Sequence, residues 1–334
     1  MKKLPPLSFV PFFALAAIIT GCSRSQDSRS TAASNDKTVI AAIPKATGGD
    51  FWETVEAGAR EAASELDIDL KWEGTVTETE IAEQTKIIEN MINLGVDAIA
   101  IAPLNNQAQR KPVQSAVDNG IPVVIFDSGV DGDAHSSLIA TDNVLGGSLG
   151  ADFMNDNLAT KSQLVVFRYV QGTASTAKRS DGFIDTAKIA GHDIVADPFS
   201  ESGTLEGSKS VVANTLERFI KNGKLDIEGI FAANLTTTLG VSSALDDLRD
   251  SGILVDLTFV GFDSSKKLVE ELQAGKIDAL IVQSPEKMGY LAVKTAFALS
   301  KGESVDALID TGVEVVTSDR LKNEPAIRAL VGLK

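Results

Sequence analysis

Two stretches of the chain share one pattern, DNGIPVVIFDS at residues 118–128 and DSGILVDLTFVGFDS at residues 250–264. Each begins with Asp-x-Gly-Ile, in which the glycine is typical of a helix end. Each then continues into an apolar run that closes in Phe-Asp-Ser, and such a run is typical of a strand covered on both faces. The repetition predicts two related α/β lobes, whose strands end at Asp127 and Asp263.

The same alternation of strand and helix extends outward from these two stretches. The predicted strands are 39–43, 69–72, 98–102, 123–126, 164–167, 194–196, 230–232, 259–262 and 280–282. The predicted helices are 51–66, 81–94, 113–119, 182–190, 207–221, 236–250, 266–274 and 286–300. This rhythm predicts parallel sheets with helices on both faces.

The two aspartates are expected to face each other. Ligands of open α/β sheets bind beyond the carboxyl ends of the strands. Two lobes that face each other would therefore place Asp127 and Asp263 on opposite walls of one cleft. The alternative is that each aspartate only caps a helix.

Composition excludes several classes of protein. A length of 334 residues suits two domains. The 31 Lys and Arg against 46 Asp and Glu give a net charge of −15, so binding to nucleic acid through bulk charge is excluded. The single cysteine excludes an internal disulfide or a cysteine-based metal cluster. We therefore predict no metal, no cofactor and no nucleic-acid partner.

The N-terminus predicts the location of the protein. Lys2 and Lys3 precede an apolar run at residues 7–19, which is shorter than the roughly 20 residues that span a bilayer and is typical of a secretory signal. The run ends in Ile-Thr-Gly-Cys, which resembles the bacterial lipobox and predicts lipidation of Cys22. We expect an extracytoplasmic protein that contacts the membrane only through its lipid anchor.

The segment after this cysteine is polar. Residues 22–37 are rich in Ser, Thr, Asn and Asp, so we predict a flexible tether between the anchor and the globular part. Removal of residues 1–21 as a signal peptide takes away two lysines and no acid, which changes the net charge from −15 to −17.

Short motifs spread along residues 38–334 carry a resemblance to a known family. They are DFW at 50–52, IPVV at 121–124, ATDNVLGG at 140–147, RSDGF at 179–183, FAAN at 231–234, VGFD at 260–263 and QSP at 283–285. In order and spacing they resemble the type I periplasmic sugar-binding proteins, the ribose-binding proteins among them. The resemblance implies two Rossmann-like lobes joined by a three-segment hinge near Thr141, Gln283 and Thr311, with a small sugar held between them.

The resemblance also implies a division of the chain and a set of ligand-binding residues. The N-terminal lobe would comprise residues 38–141 plus 284–311, and the C-terminal lobe residues 142–283 plus 312–334. The implied ligand residues are Lys45, Phe51, Trp52, Asp127, Arg179, Asn234, Asp263 and Gln283. These types suit a sugar, because aromatic rings cover C–H faces and polar groups pair with hydroxyls.

Other roles for these residues remain open at the sequence level. Trp52 has the period of the buried stripe of its helix, so Phe51 is the stronger candidate for contact with a ligand. The polar residues could instead be caps or lie on the surface.

Three positions depart from the ribose-binding pattern. Lys45 stands in place of a serine, Ala102 in place of an asparagine and Ser128 in place of an arginine. The Ile-Pro-Lys segment ending at Lys45 is similar to the rhamnose-binding and autoinducer-2-binding relatives, in which this lysine contacts the ligand. The alternative is a solvated lysine on the cleft rim. Another pentose, a deoxyhexose, a polyol or a sugar-like signal is therefore open as the ligand.

The predicted function is ligand capture without catalysis. The resemblance implies a monomer that closes around a small carbohydrate and delivers it to the permease of an ABC importer. An alternative is a receptor that presents its ligand to a membrane sensor kinase. A remote alternative is a serine hydrolase, because GGSLG at 146–150 contains the G-x-S-x-G string, but Ser148 is expected inside a helix rather than at a strand-to-helix turn. A DNA-binding repressor would need a helix-turn-helix before residue 38, where the signal-like segment lies.

Overall fold

The computed structural model describes residues 37–333. Its strands are β1 Val39–Ile43, β2 Asp69–Trp72, β3 Ala98–Ile101, β4 Val123–Phe126, β5 Ser137–Ala140, β6 Gln163–Phe167, β7 Asp193–Ala196, β8 Ile220–Lys221, β9 Lys224–Leu225, β10 Gly229–Ala232, β11 Thr258–Phe262, β12 Ala279–Gln283, β13 Leu308–Asp310 and β14 Val313–Val316. Its helices are α1 Asp50–Leu66, α2 Ile81–Leu94, α3 Arg110–Asp118, α4 Asn143–Asn157, α5 Ala174–Ile189, α6 Leu205–Leu216, α7 Leu235–Asp250, α8 Lys266–Gln273, α9 Pro285–Ser300, α10 Ser318–Asn323 and α11 Pro325–Leu330. The predicted signal peptide, Cys22 and all of the predicted tether except Lys37 lie outside the described residues.

The strands form two six-stranded sheets, as the repeated motif predicts. The first sheet has the order β13-β5-β4-β3-β1-β2 and is parallel throughout. The second has the order β14-β12-β11-β10-β6-β7 and is parallel except for β14. The predicted α/β fold with two parallel-dominated lobes is confirmed. Between residues 37 and 333, no helix is long and apolar enough to cross a membrane.

Both sheets are covered on both faces, which explains why their central strands are largely apolar. In β1, Ile40 and Ala42 pack into one hydrophobic cluster, while Ala41 and Ile43 pack into another on the opposite face. In β6, alternate residues divide between two clusters in the same way. Because successive side chains of a strand point to opposite faces, each sheet is the middle layer of a sandwich with helices outside.

The chain passes between the two sheets three times. It crosses after β5, after β12 and between β13 and β14. The first and third crossings lie side by side, because the hydroxyls of Thr141 and Thr311 are 3.2 Å apart and the Thr311 N–H donates to the Ala140 carbonyl at 3.1 Å. Gly312 follows with φ of 86°, a left-handed conformation that favours glycine.

The repeated Asp-x-Gly-Ile segments have the same structure in both lobes. Gly120 and Gly252 follow helices α3 and α7 with φ of 79° and 80°. The isoleucine after each glycine donates its N–H to a helix carbonyl five residues earlier. These left-handed helix ends turn the chain toward the next strand in each lobe.

Both lobes contain helices in close backbone contact through glycines. A Cβ on Gly147 of α4 would overlap the Arg179 carbonyl of α5, and one on Gly182 of α5 would overlap the Val144 carbonyl of α4. In the first lobe, α1 and α9 meet in the same way through Gly58 and Gly289. The small residues allow each pair of helices to pack with their backbones touching.

Several predicted boundaries were wrong. Helix α5 begins at Ala174 rather than at residue 182, and α3 begins at Arg110 rather than at 113. The helix predicted over 207–221 ends at Leu216, and a 3₁₀ turn at Glu217–Phe219 and strand β8 follow it. Strands β5, β8, β9, β13 and β14 and helices α10 and α11 had no prediction.

Candidate functional site

A cavity of about 170 Å³ lies between the two lobes. One water molecule requires roughly 10–15 Å³ by a similar measure, so the cavity has room for a small organic molecule. Its lining includes all eight predicted residues, namely Lys45, Phe51, Trp52, Asp127, Arg179, Asn234, Asp263 and Gln283. The structure therefore brings together residues from distant parts of the sequence, and five of the eight lie at or just after the carboxyl ends of strands, as expected for open α/β sheets.

The two aspartates of the repeated motif have matching geometry. Asp127 follows β4 with φ of 58°, and Asp263 follows β11 with φ of 69°. Each donates its N–H to the neighbouring strand, Asp127 to Ile139 at 2.9 Å and Asp263 to Ile281 at 2.8 Å. Left-handed φ values are uncommon outside glycine and cluster at functional sites. Here they turn both carboxylates into the cavity instead of continuing the strand.

Asp263 is the most densely hydrogen-bonded of the cavity carboxylates. Its Oδ1 accepts from Gln283 Nε2 at 2.7 Å, and its Oδ2 accepts from the Leu235 N–H at 2.9 Å and lies 3.9 Å from the Arg179 guanidinium. Burial raises the pKa of Asp263, while Arg179, Gln283 and Leu235 act in the opposite direction. These contacts fix the carboxylate in position. They do not fully offset the cost of burying its negative charge, because the pKa of Asp263 stays raised.

Arg179 is almost fully buried, with 2% of its side chain exposed. Its Nε donates to Asn143 Oδ1 at 2.7 Å, one terminal nitrogen donates to the Ala233 carbonyl at 3.2 Å, and its guanidinium lies 4.0 Å above the Phe262 ring. Burial lowers the pKa of Arg179, and the carboxylates of the cavity counteract this. These contacts hold the guanidinium rigidly at the cavity wall.

Lys45 lies inside the cavity and not on the rim of the cleft. Its Nζ is 2.6 Å from Asp127 Oδ2, and both side chains are at most 4% exposed. The same ammonium donates to Ser175 Oγ in the other lobe at 3.3 Å. The alternative of a solvated lysine is therefore wrong, and the ion pair is one of buried groups.

Phe51 and Trp52 lie in the first turn of α1, and both line the cavity. Their rings meet edge to face with centroids 5.0 Å apart. Trp52 also packs in the core of the first lobe, as its helical period predicts, and its indole N–H donates to Glu78 Oε1 at 2.7 Å. Trp52 thus joins the core to the cavity wall, and Phe51 is the more exposed of the two rings.

Asn234 is a helix cap as well as a cavity residue. Its Oδ1 accepts from the Thr237 N–H at 3.0 Å, and the Asn234 N–H donates to the Thr237 hydroxyl at 3.0 Å, which forms a capping box at the start of α7. Asn234 therefore has the helix-cap role that the sequence left open as an alternative. The carbonyl oxygen is occupied by the cap, so the amide nitrogen is the group that a cavity ligand could contact.

Two buried acceptor oxygens of the cavity receive no directed hydrogen bond from the described residues of the protein. Within residues 37–333, neither Asp127 Oδ2 nor Gln283 Oε1 receives a hydrogen bond. The contact of Asp127 Oδ2 with Lys45 is thus one between charges rather than a directed hydrogen bond. A buried polar atom without a hydrogen bond is costly, and a ligand with hydroxyl donors would satisfy both atoms.

The two lobes contact each other around the cavity. The Asn106 N–H donates to the Gly172 carbonyl at 3.0 Å, and the Ser175 N–H donates to Ser128 Oγ at 3.2 Å. Ser128, which replaces the arginine of the ribose-binding pattern, is therefore part of the contact between lobes. Ala102, the third departure, lies in the core of the first lobe.

Ser148 has the surroundings predicted for it. It lies in the second turn of α4, after the Asp142 side chain accepts the Leu145 N–H at 3.0 Å as the helix cap. Its hydroxyl accepts from Thr186 Oγ1 at 3.1 Å rather than from a histidine. The G-x-S-x-G string thus lacks the strand-to-helix turn that a hydrolase requires.

Known proteins share this architecture. The family model of the periplasmic binding protein domain matches residues 40–304. The chain belongs to the periplasmic binding protein family. It is 30% identical to the ribose import binding protein RbsB of Bacillus subtilis over 71% of this chain and 73% of that protein, and 28% identical to the D-ribose/D-allose-binding protein of Pseudomonas aeruginosa over 91% and 96%.

Solved structures agree with this membership. A carbohydrate transporter solute-binding protein from Agrobacterium radiobacter, in complex with D-arabinose, superposes with a TM-score of 0.82 at 33% identity, covering 90% of this chain and 100% of that one. An ABC transporter solute-binding protein from Agrobacterium vitis with bound D-fucose gives 0.81 at 32% identity, with 88% and 99% covered. The fold expected from the sequence motifs is thus confirmed.

Sequence reasoning missed several residues of the cavity. Glu78 lies in the loop after β2, and Ser175 and Thr176 lie in the first turn of α5. The position of Glu78 beyond the carboxyl end of β2 was a usable signal. The start of α5 gives no such signal, because the apolar pattern predicts that this helix begins eight residues later, at residue 182.

Proposed function

We propose that this chain is an extracytoplasmic solute-binding protein that captures a small sugar or sugar-like molecule between its lobes and delivers it to an ABC importer. The observation that carries the proposal is the cavity itself, in which an arginine, three carboxylates, two amides and two aromatic rings from both lobes converge. Membership of the family and the sugar-bound relatives support it.

The proposed mechanism is closure of the lobes around the ligand. A ligand that contacts Asp127 in one lobe and Asp263 and Arg179 in the other stabilises the closed arrangement, because the open one offers only half of these contacts. The three crossings near Thr141, Gln283 and Thr311 are the proposed hinges, and they divide the lobes into residues 38–141 plus 284–311 and 142–283 plus 312–334. The mechanism includes no covalent step, so we propose that the protein is not an enzyme.

The first experiment is a panel of neutral sugars, read out by melting temperature and fluorescence. Trp52 lines the cavity and Trp72 is the other of the chain's two tryptophans, so a Trp72→Phe variant reports on the cavity alone. A ligand at one hundred times its Kd should raise the melting temperature by on the order of 5 °C and change Trp52 emission. If D-ribose, D-arabinose, D-allose, D-fucose, D-tagatose and myo-inositol all leave both signals unchanged, the proposal is wrong.

The membrane anchor is a separate proposal that rests on the sequence of residues 1–37. Wild-type protein expressed in a bacterial host should sediment with membranes, and the Cys22→Ser variant should lose the lipid and leave this fraction. Mass spectrometry of the mature N-terminus provides the check. Unmodified wild-type protein in the soluble fraction would contradict lipidation without affecting the proposed ligand site.

We further propose that the protein acts as a monomer.

Lys45 should contribute to the selectivity of the cavity among sugars. Replacing it by serine removes a donor and releases Asp127 Oδ2 from its ion pair, so we expect the order of affinities across the sugar panel to change. Lys111→Ser, which alters an exposed lysine of the same lobe, should keep the wild-type order. An unaltered order in Lys45→Ser would show that this side chain does not contact the ligand.

A further inference from the structure

Glu78 is a charged cavity residue that no sequence motif predicts. It belongs to the loop between β2 and α2, and its Oε1 accepts the Trp52 indole N–H at 2.7 Å. The same loop is held by Glu80, whose carboxylate accepts the N–H groups of Val76 and Thr77 at 2.8 and 3.0 Å. Glu78 is therefore presented to the cavity by a braced loop and a fixed aromatic ring.

Counted as ionised groups, the side chains of the cavity carry a formal net negative charge because of Glu78. Among the described residues that line it, Lys45 and Arg179 are cations, and Glu78, Asp127 and Asp263 are carboxylates, so two positive and three negative charges leave −1. The Lys45 ammonium contacts Asp127, and Arg179 is the cation nearest to Asp263. Glu78 thus supplies the carboxylate that forms no ion pair in this set, although the charge of Lys45 lowers its pKa.

The surroundings of Glu78 oppose further negative charge. Burial raises the pKa of Glu78, Lys45 and Trp52 lower it, and the carboxylates of Asp127 and Asp263 raise it again. Burial and the neighbouring Glu78 carboxylate also raise the pKa of the Tyr169 hydroxyl. In a cavity of low dielectric, an added anion would meet unscreened repulsion, whereas a hydroxyl donor would be stabilised.

We propose that Glu78 is a specificity-determining residue that accepts a hydrogen bond from a hydroxyl of a neutral ligand and excludes ligands with a carboxylate or phosphate group. This inference rests on the proposed function, because it concerns the ligand of the same cavity. It restricts that ligand to uncharged polyhydroxylated molecules and places one hydroxyl beside the edge of Trp52.

The alternative is that Glu78 only positions Trp52. The Glu78→Gln variant separates the two roles, because an amide oxygen still accepts the indole N–H while the charge is lost. Glu73→Gln is the matched control, since it removes the same charge from an exposed residue of the same loop outside the cavity. Both are made in the Trp72→Phe background, in which Trp52 reports on binding.

The experiment measures Kd for the tightest neutral sugar of the panel, together with D-galactose and D-galacturonate. In Glu78→Gln we expect at least tenfold weaker binding of the neutral sugar and a smaller preference for galactose over galacturonate, with the melting temperature of the ligand-free protein unchanged. Glu73→Gln should stay within twofold of the parent in all values. Parental affinity in Glu78→Gln, or an equal loss in Glu73→Gln, would overturn the inference. Failure of every neutral sugar to bind the parent would instead contradict the proposed function.

Discussion

Replacing Asp263 by asparagine should weaken ligand binding at least a hundredfold while the protein stays folded. The substitution keeps the size of the side chain and an oxygen for the Leu235 N–H, but it removes the charge that a sugar hydroxyl and Arg179 require. Two charge-assisted hydrogen bonds contribute about 3 kcal/mol, which corresponds to roughly a hundredfold in Kd. Titration of the panel sugar against Trp52 fluorescence measures the loss.

Folding should tolerate this change. Since the pKa of Asp263 is raised in the folded protein, its ionisation opposes folding at neutral pH. This penalty decreases as the pH falls through the raised pKa and is lost below the ordinary carboxyl pKa of the unfolded chain. Arg179 keeps its contacts with Asn143 and Phe262. Asp278→Asn is the matched control, because Asp278 also accepts a backbone N–H and has a pKa raised by burial, yet it lies outside the cavity. Equal binding by the Asp263→Asn variant and this control would contradict the assigned role.

The same carboxylate predicts the pH dependence of binding. Protonation of Asp263 removes the charge in the same way as asparagine does, so affinity should decrease as the pH falls through the raised pKa.

Replacing Gly147 by alanine should destabilise the protein by at least about 3 kcal/mol. The new Cβ would overlap the carbonyl of Arg179 in α5 and press against the Phe183 N–H. Both neighbours are backbone atoms, so the clash is relieved only if the helices separate. Because α5 carries Arg179, this separation should also displace the guanidinium and weaken ligand binding. Chemical denaturation and the sugar titration measure the two effects.

Gly129→Ala is the control for this substitution. A Cβ on Gly129 would meet free space, and its backbone does not require glycine, so its unfolding free energy should stay close to that of the wild type. A Gly147→Ala protein as stable as this control would show that the two helices do not depend on backbone contact.

The parts of the site that could be predicted from the sequence are those attached to apolar strands. Asp127 and Asp263 close runs whose continuous hydrophobicity indicates buried parallel strands, and the glycines before them end helices in both lobes. Because both aspartates follow the end of a strand, their position in the sequence is enough to predict that they lie at the cleft between the lobes. Sequence alone could not show their left-handed backbone, which turns them into the cavity.

The boundary errors have a physical cause at the site itself. The first turns of α5 carry Ser175, Thr176, Arg179 and Ser180 on their buried side, so the apolar period that marks a helix is absent where the helix lines the cavity. The loop with Glu78 is rich in charge and resembles a solvated turn. Strands β13 and β14 are edge strands of three and four residues, which is too short for a periodic pattern. Prediction from local sequence thus failed mainly in two places: where the residues of the cavity are polar, and where the edge strands are short.

A crystal structure with the tightest neutral sugar of the panel tests the central claim most directly. We expect the sugar in the cavity between the lobes, with hydroxyl oxygens within about 2.5–3.2 Å of the Asp127 and Asp263 carboxylates and the Arg179 guanidinium. A sugar bound elsewhere on the protein, with only solvent between these three side chains, would contradict it.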